Sequence, residues 1–154
     1  MGNKAVVLGT NYFIGLTIIR SLGIEGIYTV AVDYSKDETY GAKSKYLNEH
    51  IIGPHYKKEP EKLLEFLIDY AKKEDKKPVL YPGADPYVEF MDDNLSELKK
   101  YYLIPMTEQG LWKKIMDKEE LHKLATQFGV LVPETVRPTD KDFVEKVERD
   151  IKFP

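Results

Sequence analysis

Short runs of apolar residues alternate with amphipathic segments over residues 5–104. Continuous apolar runs of this kind are typical of strands that are buried on both faces. Between them, apolar residues recur at helical spacing, for example over residues 13–22 before Gly23 and again after Pro60. The predicted strands cover residues 5–8, 28–32, 50–52, 78–81 and 101–104. Because strands that alternate with helices require parallel crossovers, we predict an α/β fold: a three-layer, Rossmann-like domain with a parallel sheet of about five strands.

The pattern changes after residue 105, where the apolar residues keep only a helical spacing. Asp117 and Glu120 have the spacing of a capping box and predict the start of a helix. Residues 151–154 resemble the entry into a further strand. We therefore predict two parts, a Rossmann-like domain over residues 1–105 and a helical connector over residues 106–154 that leads into a domain beyond this chain.

The composition narrows the class of partner. The 154 residues carry 23 basic and 26 acidic side chains, and this net charge of −3 gives no reason to expect nucleic acid. There is no cysteine, so disulfides, thiolate metal sites and cysteine nucleophiles are excluded. No apolar run is long enough for a signal peptide or a membrane span. We expect a cytoplasmic protein without a membrane partner.

The first candidate site is the turn after the first predicted strand, Gly9-Thr10-Asn11. Ligands of open α/β sheets bind at the carboxyl ends of the strands, where a glycine turn lets backbone amides approach an anion. A dinucleotide fingerprint that starts at Gly9 would need glycine at Asn11 and Ile14, so it is missing, although Asp33 stands where a ribose-binding acid would stand. Glycines that serve only a tight turn and close helix packing stay open as the alternative.

The second candidate site follows the fourth predicted strand and contains Gly83 and Asp85. It should lie at the same edge of the sheet as Gly9. Asp85 precedes Pro86, and this order predicts that Asp85 caps a helix. A ligand-binding role and a capping role are both open, because a helix N-terminus at this edge also faces the crevice.

Lys118 is the third candidate, because a lysine in the first turn of a helix opposes the helix dipole unless it meets an anion such as phosphate. An exposed lysine without a ligand is the equal alternative. The three histidines have no ligand spacing, and no serine or threonine forms a recognisable nucleophile arrangement with them. We therefore assign no metal ligand and no catalytic residue.

Taken in order, these segments resemble the front domain of the D-aspartate ligase group of carboxylate–amine ligases, in the ATP-grasp superfamily. Carbamoyl-phosphate synthase large chains and biotin carboxylases share the same layout. The order and spacing of five stretches carry the resemblance, which extends over residues 4–154. The stretches are residues 7–11, 15–23, 42–46, 81–89 and 117–135.

The resemblance implies a substrate-binding domain of an enzyme that joins a carboxylate to an amine through an acyl phosphate. The Gly9–Asn11 turn and the Asp85 loop would then face an amino-acid or carboxylate substrate, and Lys118 would contact ATP. ATP and magnesium would serve the full-length enzyme, and we expect this part to bind neither tightly. The chain alone is expected to fold but not to catalyse. In D-aspartate ligases the amine belongs to a peptidoglycan precursor, so a role in peptidoglycan synthesis is implied as well.

Two other classes of function stay open from the residues alone. A nucleotide- or NAD-binding domain of another enzyme would predict a true glycine fingerprint, which is missing. A freestanding flavodoxin-like binding module would predict a chain without a strand entry at its end. A homodimer is also open, because Leu121, Leu124 and Phe128 are expected to leave apolar surface exposed on the connector.

Overall fold

The structure is a computed structural model that describes residues 2–37, 39–133, 138 and 141–150. Its described residues form one sheet of four parallel strands, in the order β3-β2-β1-β4. The strands are β1 (Ala5–Leu8), β2 (Thr29–Asp33), β3 (Glu49–Ile52) and β4 (Val79–Pro82). The helices are α1 (Phe13–Ile24), α2 (Pro60–Lys72), α3 (Asp85–Asp93), α4 (Leu95–Leu98), α5 (Leu111–Met116), α6 (Lys118–Gln127) and α7 (Phe143–Asp150), and a 3₁₀ turn covers Gly41–Lys43. The strand entry expected at residues 151–154 lies outside the described residues.

The chain divides into two compact units, Met1–Lys114 and Ile115–Pro154. The first contains the whole sheet, and the second contains α6 and α7. Compactness does not say which residues share a function, so the functional boundary after residue 105 stays a prediction. None of the helices in the described part of the chain combines the length and the apolar character needed to cross a membrane.

The sheet is covered on both faces, which explains why its inner strands read as continuous apolar runs. Val6 and Leu8 of β1 belong to a core that includes Leu63 and Leu67 of α2. Val7, between them, faces the other side and packs with Ile19 of α1. The predicted three-layer α/β fold with a parallel sheet is confirmed.

The fifth predicted strand shrinks to a single bridge. Leu103 pairs with Val79: the Leu103 N–H donates to the Pro78 carbonyl at 2.9 Å, and the Leu80 N–H donates to the Leu103 carbonyl at 3.0 Å. Before it, the Tyr102 N–H still bonds the Leu98 carbonyl of the preceding turn at 2.8 Å. After it, Pro105 has no N–H to donate. These flanking features prevent a longer ladder of hydrogen bonds between residues 101–104 and β4.

The predicted end of the first helix at Gly23 is wrong, because α1 continues through Gly23 to Ile24. The turn comes at Gly26, whose φ of +72° suits glycine. Gly23 serves packing instead: a Cβ atom there would lie 2.8 Å from the Tyr46 carbonyl oxygen. The glycine therefore lets the residue 42–46 segment approach α1.

Candidate functional site

The strand order creates a crevice at the carboxyl ends of β1 and β4. The chain moves from β1 outward to β2 and β3, and then returns to place β4 on the other side of β1. Such a reversal is where open α/β sheets bind ligands. Leu8 and Pro82 are partners at the ends of the two strands, and the Gly83 N–H donates to the Leu8 carbonyl at 2.7 Å. The turn at Gly9 and the loop at Gly83 are therefore brought together, as expected.

Three glycines make this approach possible. A Cβ atom on Gly83 would lie 2.7 Å from the Leu8 carbonyl oxygen, and one on Gly15 would lie 2.8 Å from the Gly9 carbonyl oxygen. Gly9 has a φ of +75°, and a Cβ atom there would collide with the Tyr87 ring. Close packing thus accounts for each glycine, and this packing also builds the wall of the crevice.

Thr10 is fully buried and is held by Asp33 at the end of β2. The Thr10 N–H donates to Asp33 Oδ1 at 2.5 Å, and the Thr10 hydroxyl donates to Asp33 Oδ2 at 2.6 Å. His50 Nε2 lies 2.9 Å from the same Oδ2, within hydrogen-bond distance. The Thr10 side chain therefore fixes the turn, and its hydroxyl is already used.

The same network shows why Asp33, although it stands where a ribose-binding acid would stand, is not free to bind a ribose. Asp33 is 3% exposed, and both of its carboxylate oxygens accept hydrogen bonds from the protein. A ribose hydroxyl would have to displace Thr10 or His50 to reach it. The missing glycine fingerprint and the occupied Asp33 carboxylate both argue against a dinucleotide site. The position of His50 across the β2–β3 pair carries no local sequence signal, so sequence reasoning missed it.

Asn11 is half-buried and lines a small cavity of about 110 Å³ beside the turn. The other lining residues are Asp33, Tyr34, Ser35, Asp37 and Thr39. The Gly41 N–H donates to the Thr10 carbonyl at 3.0 Å and so holds the end of this β2–β3 segment against the turn. The cavity is polar, and the ionisable side chains that line it, among the residues that the structure describes, are Tyr34 and two carboxylates.

Asp85 is exposed at the crevice, but the prediction that it caps its helix is wrong. Ala84 is the cap residue, with an extended backbone at φ −162° and ψ 158°, and its carbonyl accepts from the Val88 N–H at 3.2 Å. Asp85 is already the first helical residue, and its side chain makes no capping bond. An extended Ala84 therefore starts the helix one position earlier and leaves the Asp85 carboxylate directed to solvent.

Lys118 is the first residue of α6, in the second unit, and its side chain is exposed. Asp117 caps this helix as predicted, since its carboxylate accepts from the N–H groups of Glu119 at 2.8 Å and Glu120 at 3.1 Å. Glu120 does not complete the box, because its carboxylate pairs with Lys123 at 2.9 Å. Among the described residues, no group of three or more metal-ligating side chains is placed to hold a metal ion. One exposed lysine does not by itself form an ATP–magnesium site.

A row of aromatic rings crosses the same edge of the sheet. Ring centroids are 4.4 Å apart for Tyr34 and His55, 4.6 Å for His55 and Tyr56, and 4.9 Å for Tyr56 and Tyr87. The row begins at the cavity and ends at Gly9, where the Tyr87 ring would meet a Cβ atom. The residues come from three separate loops and helices, so no sequence motif shows the row.

No protein-family model matches the chain. Part of a D-aspartate ligase from Enterococcus faecium is 22% identical to it in an alignment of 125 residues, and the match covers 78% of this chain and 30% of that enzyme. The predicted resemblance is confirmed. The chain spans about a third or less of its relatives, so the activity of the whole protein does not follow from the match.

Solved structures show the same fold. The biotin carboxylase domain of the 2-oxoglutarate carboxylase from Hydrogenobacter thermophilus, a dimer in complex with magnesium ADP and bicarbonate, matches with a TM-score of 0.58 and 19% identity. The match covers 98% of this chain and 33% of that one. The biotin carboxylase subunit of a pyruvate carboxylase matches with a TM-score of 0.58, 20% identity, and coverage of 100% of this chain and 34% of that one. At this identity the likeness establishes the fold.

Proposed function

We propose that this chain is the substrate-binding front domain of an ATP-dependent carboxylate–amine ligase. The observation that carries the proposal is the junction of the Gly9–Asn11 turn and the Gly83–Asp85 loop at the point where the strand order reverses. Partial likeness to a D-aspartate ligase supports the same reaction class. In that class a carboxylate becomes an acyl phosphate, which an amine attacks, and positioning of the two reactants supplies much of the rate.

Each predicted site residue has a role in this proposal. Asn11 and Asp85 present polar side chains to the amino-acid or carboxylate substrate, while Thr10 fixes the turn and Gly9 and Gly83 let the two loops meet. Both loops precede helix N-termini, whose partial positive charge suits a carboxylate. Lys118 contacts ATP at the start of α6, and the remaining nucleotide and magnesium contacts come from parts of the protein beyond this chain.

The finer features of the proposal come from the resemblance. They are D-aspartate as the carboxylate, a peptidoglycan precursor as the amine, and a cytoplasmic setting. Self-association is supported by exposed apolar side chains on and after α6, where Phe128 is 78% exposed and Leu131 is 97% exposed.

The proposal is tested by amino-acid-dependent ATP turnover. We would assay two proteins side by side, the 154-residue chain and the longest protein encoded in the same reading frame, with a panel of amino acids and amines. The longer protein should release phosphate only when a carboxylate and an amine are both present, and the 154-residue chain should release none. Turnover by the chain alone, or a longer protein that hydrolyses ATP without regard to amino acids, would overturn the proposal.

A further inference from the structure

The tautomer of His55 is set by the backbone of its own loop. His55 lies in the β3–α2 loop, residues 53–59, three residues after β3 ends. The Lys57 N–H donates to His55 Nδ1 at 3.0 Å. A ring nitrogen that accepts a hydrogen bond carries no proton, so the imidazole carries its proton on Nε2. His55 is therefore a hydrogen-bond donor at Nε2.

Two tyrosine rings hold the imidazole ring in place. Its centroid lies 4.4 Å from that of Tyr34 and 4.6 Å from that of Tyr56, and the two tyrosine centroids are 6.0 Å apart. Tyr34 directly follows β2, whereas His55 and Tyr56 follow β3. The three rings thus form a cluster beyond the carboxyl ends of two neighbouring strands, and their contacts restrict the orientation of the imidazole.

The Nε2 donor of His55 is not used by the protein. His55 is partly exposed, and Nε2 makes no hydrogen bond to any other residue that the structure describes. The chain therefore has, at this edge of the sheet, an N–H group whose direction is restricted and whose partner is missing. Such a group can bond a ligand at a low cost in conformational entropy, because its side chain is already ordered.

The three-ring cluster joins the proposed substrate crevice at two places. Tyr34 lines the cavity beside Asn11. The Tyr56 ring lies 4.9 Å from the Tyr87 ring, which covers Gly9. The cluster therefore borders the same turn that is proposed to face the substrate.

The charges of the β3–α2 loop favour an anion as the ligand. Lys57 and Lys58 follow the ring cluster in sequence, and both are exposed. The carboxylate of the same loop, Glu59, pairs with Lys62 at 2.6 Å. Because this pair is neutral, the two other lysines leave the loop with a positive charge, which attracts a carboxylate toward the N–H donor.

Two carboxylates of the adjoining cavity oppose an anion only weakly. Asp33 is buried and accepts two hydrogen bonds from Thr10, which disperse its charge. Asp37 is exposed, so water and salt screen it. The loop after β3 is therefore the part of this edge that suits a negatively charged group.

We propose that His55 is a binding residue for a carboxylate group of the substrate, one oxygen of which accepts a hydrogen bond from the His55 Nε2–H. The inference rests on the proposed function and deepens it, because it assigns one group of the carboxylate or amino-acid substrate to one side chain. Tyr34 and Tyr56 act through His55 as positioning residues. The Lys57 N–H acts in the same way by holding Nδ1.

Two substitutions separate the roles of the two ring nitrogens. His55→Asn keeps an oxygen that can accept from the Lys57 N–H, since asparagine forms this kind of bond two residues along the chain, but it removes the donor at Nε2. His55→Gln places an amide N–H near the position of Nε2 and gives up the turn bond. His55→Asn should weaken carboxylate binding by about tenfold and leave the melting temperature unchanged. His55→Gln should bind within about threefold of the unchanged chain and melt about 3 °C lower.

Three small probes establish the chemistry of the ligand. Succinate carries carboxylates without an amine, putrescine carries amines without a carboxylate, and inorganic phosphate is a different anion. We would titrate each into the 154-residue chain and follow the ring nitrogen resonances of His55 and the backbone amides of residues 9–11. Succinate should shift the Nε2 resonance and these amides, putrescine should shift neither, and phosphate should bind more weakly than succinate.

Four results would overturn the inference. They are a His55 Nε2 resonance that succinate does not move, an equal shift with putrescine, tighter binding of phosphate than of succinate, and a His55→Asn variant that binds succinate as well as the unchanged chain does. A stability loss shared by both variants without the predicted difference in binding would assign His55 to the loop alone and would also overturn it.

The outcome is distinguishable from that of the ligase assay. Succinate binding at Nε2, in a longer protein without amino-acid-dependent ATP turnover, would keep the carboxylate site and reject the proposed function. Turnover in the longer protein, with a KM for the amino acid that His55→Asn does not change, would keep the proposed function and reject the role of His55.

Discussion

The Asp33 carboxylate holds the first turn by accepting two hydrogen bonds from Thr10, one from its N–H at 2.5 Å and one from its hydroxyl at 2.6 Å. Both residues are buried, so water cannot replace a lost partner. We expect Thr10→Val, which keeps the shape but removes the hydroxyl, to lower the free energy of unfolding by about 2 kcal/mol. Thr10→Ser keeps the donor and should cost about 1 kcal/mol or less. Urea unfolding measures both, and equal losses would contradict this role of the hydroxyl.

A second pair of variants compares two buried tyrosine hydroxyls. The Tyr102 hydroxyl donates to the Leu67 carbonyl at 2.6 Å, whereas the Tyr70 hydroxyl, close to Glu74, makes no hydrogen bond of ordinary geometry. We expect Tyr102→Phe to lower the free energy of unfolding by about 1–2 kcal/mol, because a buried hydrogen bond to the Leu67 carbonyl is lost. Tyr70→Phe should leave stability unchanged or raise it by about 1 kcal/mol. A larger loss for Tyr70→Phe than for Tyr102→Phe would show that the hydrogen bond at Tyr102 is unimportant.

The buried tyrosines also predict how stability depends on pH. Burial raises the pKa of Tyr102 above its ordinary value of 10.0, and it raises the pKa of Tyr70 and Tyr87 in the same direction. The folded chain therefore holds these protons more tightly than the unfolded chain does. Stability should be unaffected by them below a pH of about 10 and should fall as the pH rises above it. Urea midpoints at rising pH test this, and the fall should be shallower in Tyr102→Phe.

The glycine contacts predict different costs at Gly83 and Gly26. A Cβ atom on Gly83 would press on the Leu8 carbonyl oxygen at 2.7 Å, and the backbone of β1 would have to move. Gly26 has open space but a φ of +72°. We expect Gly26→Ala to cost about 1 kcal/mol and Gly83→Ala clearly more, about 2–4 kcal/mol. Thermal melts of the two variants test this expectation. A smaller loss of stability for Gly83→Ala than for Gly26→Ala would mean that the loop can adjust to the added methyl group.

Variants of Asp85 and Lys118 should affect the KM values of the two substrates of the proposed ligase differently. Asp85 caps no helix, so Asp85→Ala should leave the melting temperature almost unchanged. In the longer protein it should raise the KM for the amino acid more than the KM for ATP, and Lys118→Ala should do the opposite. The α6 variant Lys123→Ala is a control, because Lys123 pairs with Glu119 and Glu120 of its own helix. If Asp85→Ala and Lys118→Ala change the same KM, the assigned roles are wrong.

The sequence predicts the layers of this fold well because each depends on local signals. The apolar runs of β1 and β2 and the amphipathic pattern after Pro60 need no distant partner to be recognised. The prediction of a fifth strand failed because the length of its hydrogen-bond ladder depends on the flanking residues. The turn at Leu98 and the missing N–H of Pro105 shorten it to one bridge.

Only those features of the candidate site that follow from the order of the strands and helices were predicted. Topology places the Gly9 turn beside Gly83, and the structure agrees. The contact of Asp33 with His50 joins residues that are far apart in the chain, and so does the contact of the Tyr87 ring with Gly9. Hydrophobic periodicity along the sequence does not reveal such contacts. The cap was assigned to Asp85 and not to Ala84, because composition favours aspartate there and the extended conformation of Ala84 is not visible in the sequence.

The interlocked glycines divide the crevice into a stiff part and an adaptable part. Gly9, Gly15 and Gly83 pack closely, and the Gly83 N–H bonds the Leu8 carbonyl, so the two loops form one packed block. Residues 34–37, 39 and 40 are joined to that block at Gly41 and carry most of the cavity's side chains. Engineering of a new ligand preference should therefore be directed at this short segment, where a substitution changes the shape and charge of the cavity without disturbing the junction of β1 and β4.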